Sequence, residues 1–231
     1  MCGRYNLTLP VEALARLFDF PERPNLAPRY NIAPTQEAPV ICRRDGGQRE
    51  LVFMRWGLVP SWSKAMAPSA PLINARSETA ADKPSFRSAF RARRCVVPAN
   101  GYYEWRSDPS GKQPFHIAPA AGGAMALAGL WESWRDPART DTPPLLSFTL
   151  MTTMPTPELA AIHDRMPVIL SAADCAAWLD PATPADRLSS LLGPFVGMAL
   201  KAYPISRRVN VVRHDDPDIL VPLDDPAPRL I

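Results

Sequence analysis

A cysteine stands at position 2 of this chain, in the opening Met1-Cys2-Gly3-Arg4. Initiator methionine is usually trimmed when a small residue follows it, which leaves Cys2 with a free α-amine and a thiol on one carbon skeleton. The amine titrates near ~7.7–8.0 and an ordinary thiol near ~8.5, so both are partly nucleophilic at neutral pH. Such a 1,2-aminothiol attacks an amide or thioester through sulfur, or captures an aldehyde as an imine that the sulfur closes into a thiazolidine ring. Three further segments combine polar groups with tight punctuation: Ile73-Asn74-Ala75-Arg76-Ser77-Glu78-Thr79, Gly101-Tyr102-Tyr103-Glu104-Trp105 and Ala161-Ile162-His163-Asp164-Arg165-Met166-Pro167. If the first is extended, Asn74 and Arg76 share a face. Glu104 is set among large aromatic neighbours, and His163 ends a helix before a proline. Taken singly, each has an ordinary reading: a solvent-face glutamate, a histidine favoured by a helix dipole, a turn asparagine, an exposed Arg76–Glu78 ion pair.

These residues need a scaffold, and the chain reads as many short elements punctuated by 28 prolines, about twice the average usage. Apolar spacing at Val11, Leu14, Leu17 and Phe18 predicts a helix opened by Thr8 and Pro10. Residues 21–39 read as irregular. Strands over 40–43 and 50–56 flank Asp45-Gly46-Gly47 as a hairpin, followed by a long loop over 60–72 and a short basic helix over 84–94. Strands are expected over 95–99 and 102–106, broken at Asn100-Gly101, and over 114–118, 125–134 and 145–152. A brief helix over 157–162 precedes an extended 167–170, Ser171 caps a helix over 172–179, another helix covers 184–192, and a strand lies within 197–205. The expected fold class is α+β: a single domain over 1–231, core about 2–222 with a short polar tail, whose curved, mostly antiparallel, barrel-like sheet is flanked by short helices.

Composition narrows the chemistry further. A chain of 231 residues with 46% hydrophobic content and six tryptophans can bury a substantial core. A net charge of +3 suits a nucleic-acid partner but falls short of the strongly basic domains that announce one. Cys2, Cys42, Cys95 and Cys175 are far apart with no Cys-x-x-Cys pair, which argues against a zinc ribbon or redox motif. The last three sit among apolar neighbours as inert buried thiols. A leader peptide and an apolar run of ~18 residues are both lacking, so the expectation is a cytoplasmic protein without membrane, metal or cofactor. His116 and His214 receive no role.

Taken together, the segments resemble the SRAP family, the SOS-response-associated peptidases also called abasic-site processing proteins. The matches run from Met-Cys-Gly-Arg through Arg29-Tyr30-Asn31-Ile32-Ala33-Pro34-Thr35, Arg55-Trp56-Gly57-Leu58-Val59-Pro60, the three segments above, Tyr203-Pro204-Ile205-Ser206 and Val209-Asn210. The resemblance implies a monomeric sensor of abasic sites in single-stranded DNA that attaches covalently to the lesion through Cys2 as a thiazolidine. It implies catalytic roles for Cys2, Asn74, Glu104 and His163: Asn74 orients the terminus, Glu104 shuttles protons, and His163 is the general acid/base. DNA contacts would come from Arg4, Asn31, Pro34, Arg76 and Arg165, with Trp62 in the loop that presents a wedge beside the lesion. Many relatives carry two adjacent tryptophans there, whereas this chain has Trp62-Ser63 and a longer 64–70 stretch. The Arg87, Arg91, Arg93, Arg94 cluster either extends the basic footprint or forms a solvated helix face.

Three other readings compete. An N-terminal-nucleophile amidohydrolase also exposes a cysteine after methionine removal, although this chain has no second synthetase domain. A cysteine peptidase would use Cys2, Glu104 and His163, with removal of Met1 as its modest form. A non-enzymatic single-strand DNA-binding module would bind abasic and intact strands alike.

Overall fold

The computed structural model describes residues 2–43, 47–66, 71–109, 111–139, 141–195 and 197–223, and the backbone of 229–230. In chain order the strands are β1 (Tyr5–Leu7), β2 (Arg29–Ile32), β3 (Glu37–Arg43), β4 (Arg49–Trp56), β5 (Asn74–Arg76), β6 (Arg94–Ala99) and β7 (Gly101–Asp108). They continue with β8 (Gly111–Pro119), β9 (Met125–Trp134), β10 (Leu145–Thr153), β11 (Met166–Pro167), β12 (Ile169–Leu170), β13 (Leu200–Pro204) and β14 (Arg229–Leu230). Short helices α1 (Val11–Phe18), α2 (Arg87–Ala92), α3 (Pro157–Ala160), α4 (Ala172–Leu179) and α5 (Ala185–Ser190) lie between them. This is the expected α+β domain.

One sheet runs β14-β13-β8-β7-β1-β2, the other β11-β10-β4-β3-β6-β9-β12. Because β10 also pairs with β9, the second sheet closes on itself in a ring-like arrangement. Pairing is antiparallel throughout, except that β10 runs parallel to β4 and to β5. The ring strands carry near-continuous buried runs, such as 94–99 on β6 and 125–130 on β9, which a strand covered on both faces requires.

A single residue, Asn100, separates β6 from β7 and marks the passage from one sheet to the other. Its Oδ1 accepts from the Thr8 and Leu9 amides at 2.7 and 3.2 Å, and its Nδ2 donates to the Gly123 carbonyl at 2.7 Å. Gly101 follows because nothing larger fits: a Cβ there would lie 2.1 Å from His116 Nε2. His116 itself is buried between Asn6 Oδ1 and the Tyr203 hydroxyl, both 2.9 Å away, and burial pushes its pKa down to about 3. It is a neutral, structural histidine.

The structure corrects several details of the sequence reading. Leu17 is 55% exposed; Val11, Leu14, Ala15 and Phe18 form the i, i+3, i+4, i+7 stripe of α1, and Leu17 points away from it. The stretch 21–39 is not wholly irregular, since it contains β2 and the start of β3. The helix expected over 157–162 stops at Ala160. The arginine cluster divides: Arg94 is buried and donates to the carbonyls of Phe90, Arg91, Trp178 and Asp180, Arg93 pairs with Glu132 at 2.6 Å, and Arg87 and Arg91 remain exposed. The Asp45-Gly46 part of the hairpin turn, residues 67–70 of the long loop and most of the tail lie outside the described residues. Among the described residues no helix is long and apolar enough to cross a membrane.

Candidate active site

Strand β7 places its side chains alternately against two cores. Tyr102 and Glu104 face the main core, while Tyr103 packs with Ile205, Val209 and Ile219 and is flanked by Trp105. Glu104 is therefore only 2% exposed. Burial pushes its pKa up to about 7, which leaves it half-ionised at neutrality. The glutamate is thus not on the solvent face of its strand.

Three other elements converge on Glu104. The start of the chain lies beside β7, with the Tyr103 amide donating to the Arg4 carbonyl at 3.0 Å. Cys2 is fully buried, its Sγ 3.8 Å from the Arg4 carbonyl. Burial first, and then the Glu104 charge, hold its thiol far above the ordinary range. Strand β5 is extended, the condition under which Asn74 and Arg76 share a face, and Ala75 is buried on the opposite side. Asn74 Nδ2 donates to the Cys2 carbonyl at 2.9 Å, fixing the backbone of the residue that carries the thiol. From the turn after α3, His163 brings Nε2 to 3.8 Å from Glu104 Oε2.

His163 Nδ1 accepts the Arg165 amide at 3.0 Å and also lies 2.8 Å from an Asp164 carboxylate oxygen. The two contacts oppose each other, because a carboxylate favours a protonated ring. Burial lowers the His163 pKa, and it prevails because the Asp164 side chain is 85% exposed and screened by water. The neutral ring then carries its proton on Nε2, toward Glu104. Over Glu104 and His163 opens a cleft of ≈ 390 Å³, also lined by Trp105, Lys112 and Asn210. Two larger hollows, ≈ 520 Å³ beside Asp19 and ≈ 660 Å³ beside Phe195, contain none of these groups.

The residues expected to touch a strand fall into two sets. Arg76 and Trp62 are exposed, Trp62 at 64%, and Pro34 is half-buried. Arg4, Asn31 and Arg165 instead make internal contacts. Arg165 is buried, clasps Glu78 at 2.7 and 2.9 Å and donates to the Thr152 carbonyl at 2.6 Å, so Glu78 pairs with it and not with Arg76. Arg4 donates to Asn31 Oδ1 at 2.9 Å and to the Val209 carbonyl at 2.7 Å. Asn31 is fully buried and donates to the carbonyls of Val209, Val211 and His214 at 3.1, 3.3 and 2.8 Å. Its Asn31→Ala variant strips several buried groups of partners at once. Unfolding free energy should fall by ~3 kcal/mol in denaturant titration; a loss below ~1 kcal/mol would show that water replaces the amide.

Sequence reasoning missed Asp215, which accepts from the backbone amides of Tyr30 and Asn31 and pairs with Arg29. It also missed the Trp105 Nε1 bond to Asn210 Oδ1 at 2.8 Å, and Lys112 in the cleft wall. The first two join residues far apart in sequence and leave no local signal. Lys112 could have been placed from its β7–β8 register opposite Ser107.

A family model described as SOS response associated peptidase (SRAP) matches residues 1–212. The abasic site processing protein YoqW of Bacillus subtilis is 38% identical over 225 residues, covering 95% of this chain and 99% of that protein. The abasic site processing protein HMCES of Gallus gallus is 32% identical, covering 99% of this chain and 80% of that protein. Among solved structures, a Bacteroides thetaiotaomicron protein superposes with a TM-score of 0.85 at 26% identity, covering 96% of this chain and 100% of that one. With a family model over nearly its whole length, relatives above 30% identity and a site that gathers its four separate segments, this chain belongs to the SOS-response-associated peptidase family.

Proposed function

We propose that this chain processes abasic sites, capturing the lesion in single-stranded DNA as a thiazolidine formed by Cys2 after Met1 is removed. The observation that carries the reading is the Asn74 hydrogen bond to the Cys2 carbonyl, which fixes residue 2 next to a carboxyl that titrates near 7. The naming of its relatives as abasic site processing proteins supports the same substrate.

An abasic deoxyribose in its ring-opened form presents an aldehyde. The Cys2 amine adds to that carbon, and the carbinolamine loses its hydroxyl as water with a proton from Glu104. The Cys2 sulfur then adds to the carbon of the protonated imine as the Glu104 carboxylate takes the thiol proton, which restores the carboxyl and leaves the ring nitrogen with the one proton it kept from the amine. One C–N and one C–S bond form, one water leaves, and no oxidant or reductant is needed. A buried thiol with a raised pKa requires such a nearby base. Neutral His163 serves the same proton traffic from the other side and assists opening of the sugar ring. Arg76 contacts phosphate, and Trp62 offers a face on which a base beside the lesion stacks. Arg4, Asn31 and Arg165 act by holding the site together. The adduct shields the strand from cleavage, and the protein works as a cytoplasmic monomer.

The test is to mix protein whose Met1 removal is confirmed by mass spectrometry with an abasic single-stranded oligonucleotide and run a denaturing gel. A heat- and detergent-stable shifted band is expected, with none from the intact oligonucleotide. A missing band would overturn the capture reading.

A further inference from the structure

The cations available at the mouth of the cleft are fewer than the sequence suggests. Arg4 is bound to Asn31, Val209 and Asn210, and Arg165 to Glu78 and Thr152. On the same strand pair, Arg106 is held by Asp108 at 3.0 Å and lies 4.8 Å over the Phe115 ring, and beyond the Asn210 wall Arg208 pairs with Asp216 at 2.9 Å. Lys112 differs from all of these. It stands exposed in the cleft wall with Glu104 and His163, and its ammonium makes no hydrogen bond or ion pair with any of the described residues. Its charge reaches His163, where it opposes ring protonation. The wall beside it is cross-linked by hydrogen bonds: the Trp105 indole donates to Asn210 Oδ1 at 2.8 Å, and Arg4 donates to the Asn210 carbonyl at 3.3 Å.

A deoxyribose carries a phosphate on each side. A strand whose sugar reaches Cys2 must therefore lead one of its neighbouring phosphates past this mouth, where a desolvated anion would otherwise face Glu104 and Asp164. We propose that Lys112 is the phosphate-binding residue for the nucleotide on one flank of the abasic sugar, a subsite separate from that of Arg76. This rests on the capture reading and adds which groups steer the strand into register. The lysine supplies a mobile point charge at an open rim, which suits a phosphate that arrives from solvent.

The experiment reads non-covalent affinity, so it is done in a Cys2→Ala background with an abasic single-stranded oligonucleotide over a range of salt. Lys112→Gln should weaken binding severalfold and reduce the slope of log affinity against log salt by ~0.7, the value for one phosphate of a single strand. Lys112→Arg should restore both, since it keeps the charge. Oligonucleotides cut back to the lesion on the 5′ or the 3′ side locate the contact: the Lys112→Gln penalty should vanish for one of the two. An unchanged slope, or a penalty that survives both truncations, would overturn the assignment. The slope involves no covalent step, so a missing cross-link in the wild type counts against the capture chemistry alone.

Discussion

A Cys2→Ser protein, with Met1 removed, should give no heat-stable complex with abasic DNA yet still form an imine that borohydride traps. Serine keeps the amine, the backbone and the Asn74 contact to the residue 2 carbonyl. It loses only the soft sulfur nucleophile, and a hydroxyl is far less ready to ionise than a thiol. The oxygen ring that could form in its place reopens, and the imine hydrolyses on heating. The denaturation-resistant yield should therefore drop by at least ~10², while the borohydride-dependent band approaches that of the wild type. Gels run with and without reductant check both halves. A full heat-stable yield from Cys2→Ser would mean that nitrogen alone makes the bond.

Glu104→Gln should make the protein slower and more stable at once. A carboxyl whose pKa rises from 4.5 to about 7 on folding binds its proton more tightly in the native state than in the unfolded one. Stability therefore declines as pH rises through that window, and the full penalty applies above it. The shift corresponds to ~3 kcal/mol at pH 8, which glutamine removes because it cannot ionise. Denaturant titrations should show the variant matching wild type at pH 4 and exceeding it by that order at pH 8. Cross-linking should meanwhile fall by ~10²–10⁴, the usual contribution of a positioned acid/base group. In the wild type the single-turnover rate of the sulfur-addition step, which uses the carboxylate as base, should rise through a limb near pH 7, and this limb should be absent from the variant. A limb that persists would assign the titration to another group. A Glu104→Gln protein no more stable than wild type at pH 8 would show the carboxylate to be well solvated.

How much of this was legible in the sequence varies with the range of the interaction that decides it. Periodicity located β9 to the residue and β6, β7 and β10 to within one or two, because strands in this chain are long apolar runs with proline or glycine at their ends. The cap of α4 was equally local, with Ser171 Oγ accepting the Asp174 amide at 3.1 Å. Strands β1, β2 and β5 have three or four residues each and are stable only through their partners, so no window could reveal β1 or β2. The same limit explains the site. Asn74, Glu104 and His163 were visible as polar residues in punctuated segments, and their meeting at Cys2 was not derivable from spacing. For the arginines the obstacle has one cause: an arginine looks the same in sequence whether its partners are phosphates or distant carbonyls. Only the fold shows that Arg4 and Arg165 face inward while Lys112 does not.

The bond from Arg4 to the Val209 carbonyl spans 205 residues, and the Asn31 amide and Asp215 carboxylate tie the same C-terminal segment to β2. During translation Arg4 is made 205 residues before its Val209 acceptor. Contacts of such long separation form late. The segment that bears Cys2 therefore gains these anchors only after residues 209–215 have been made.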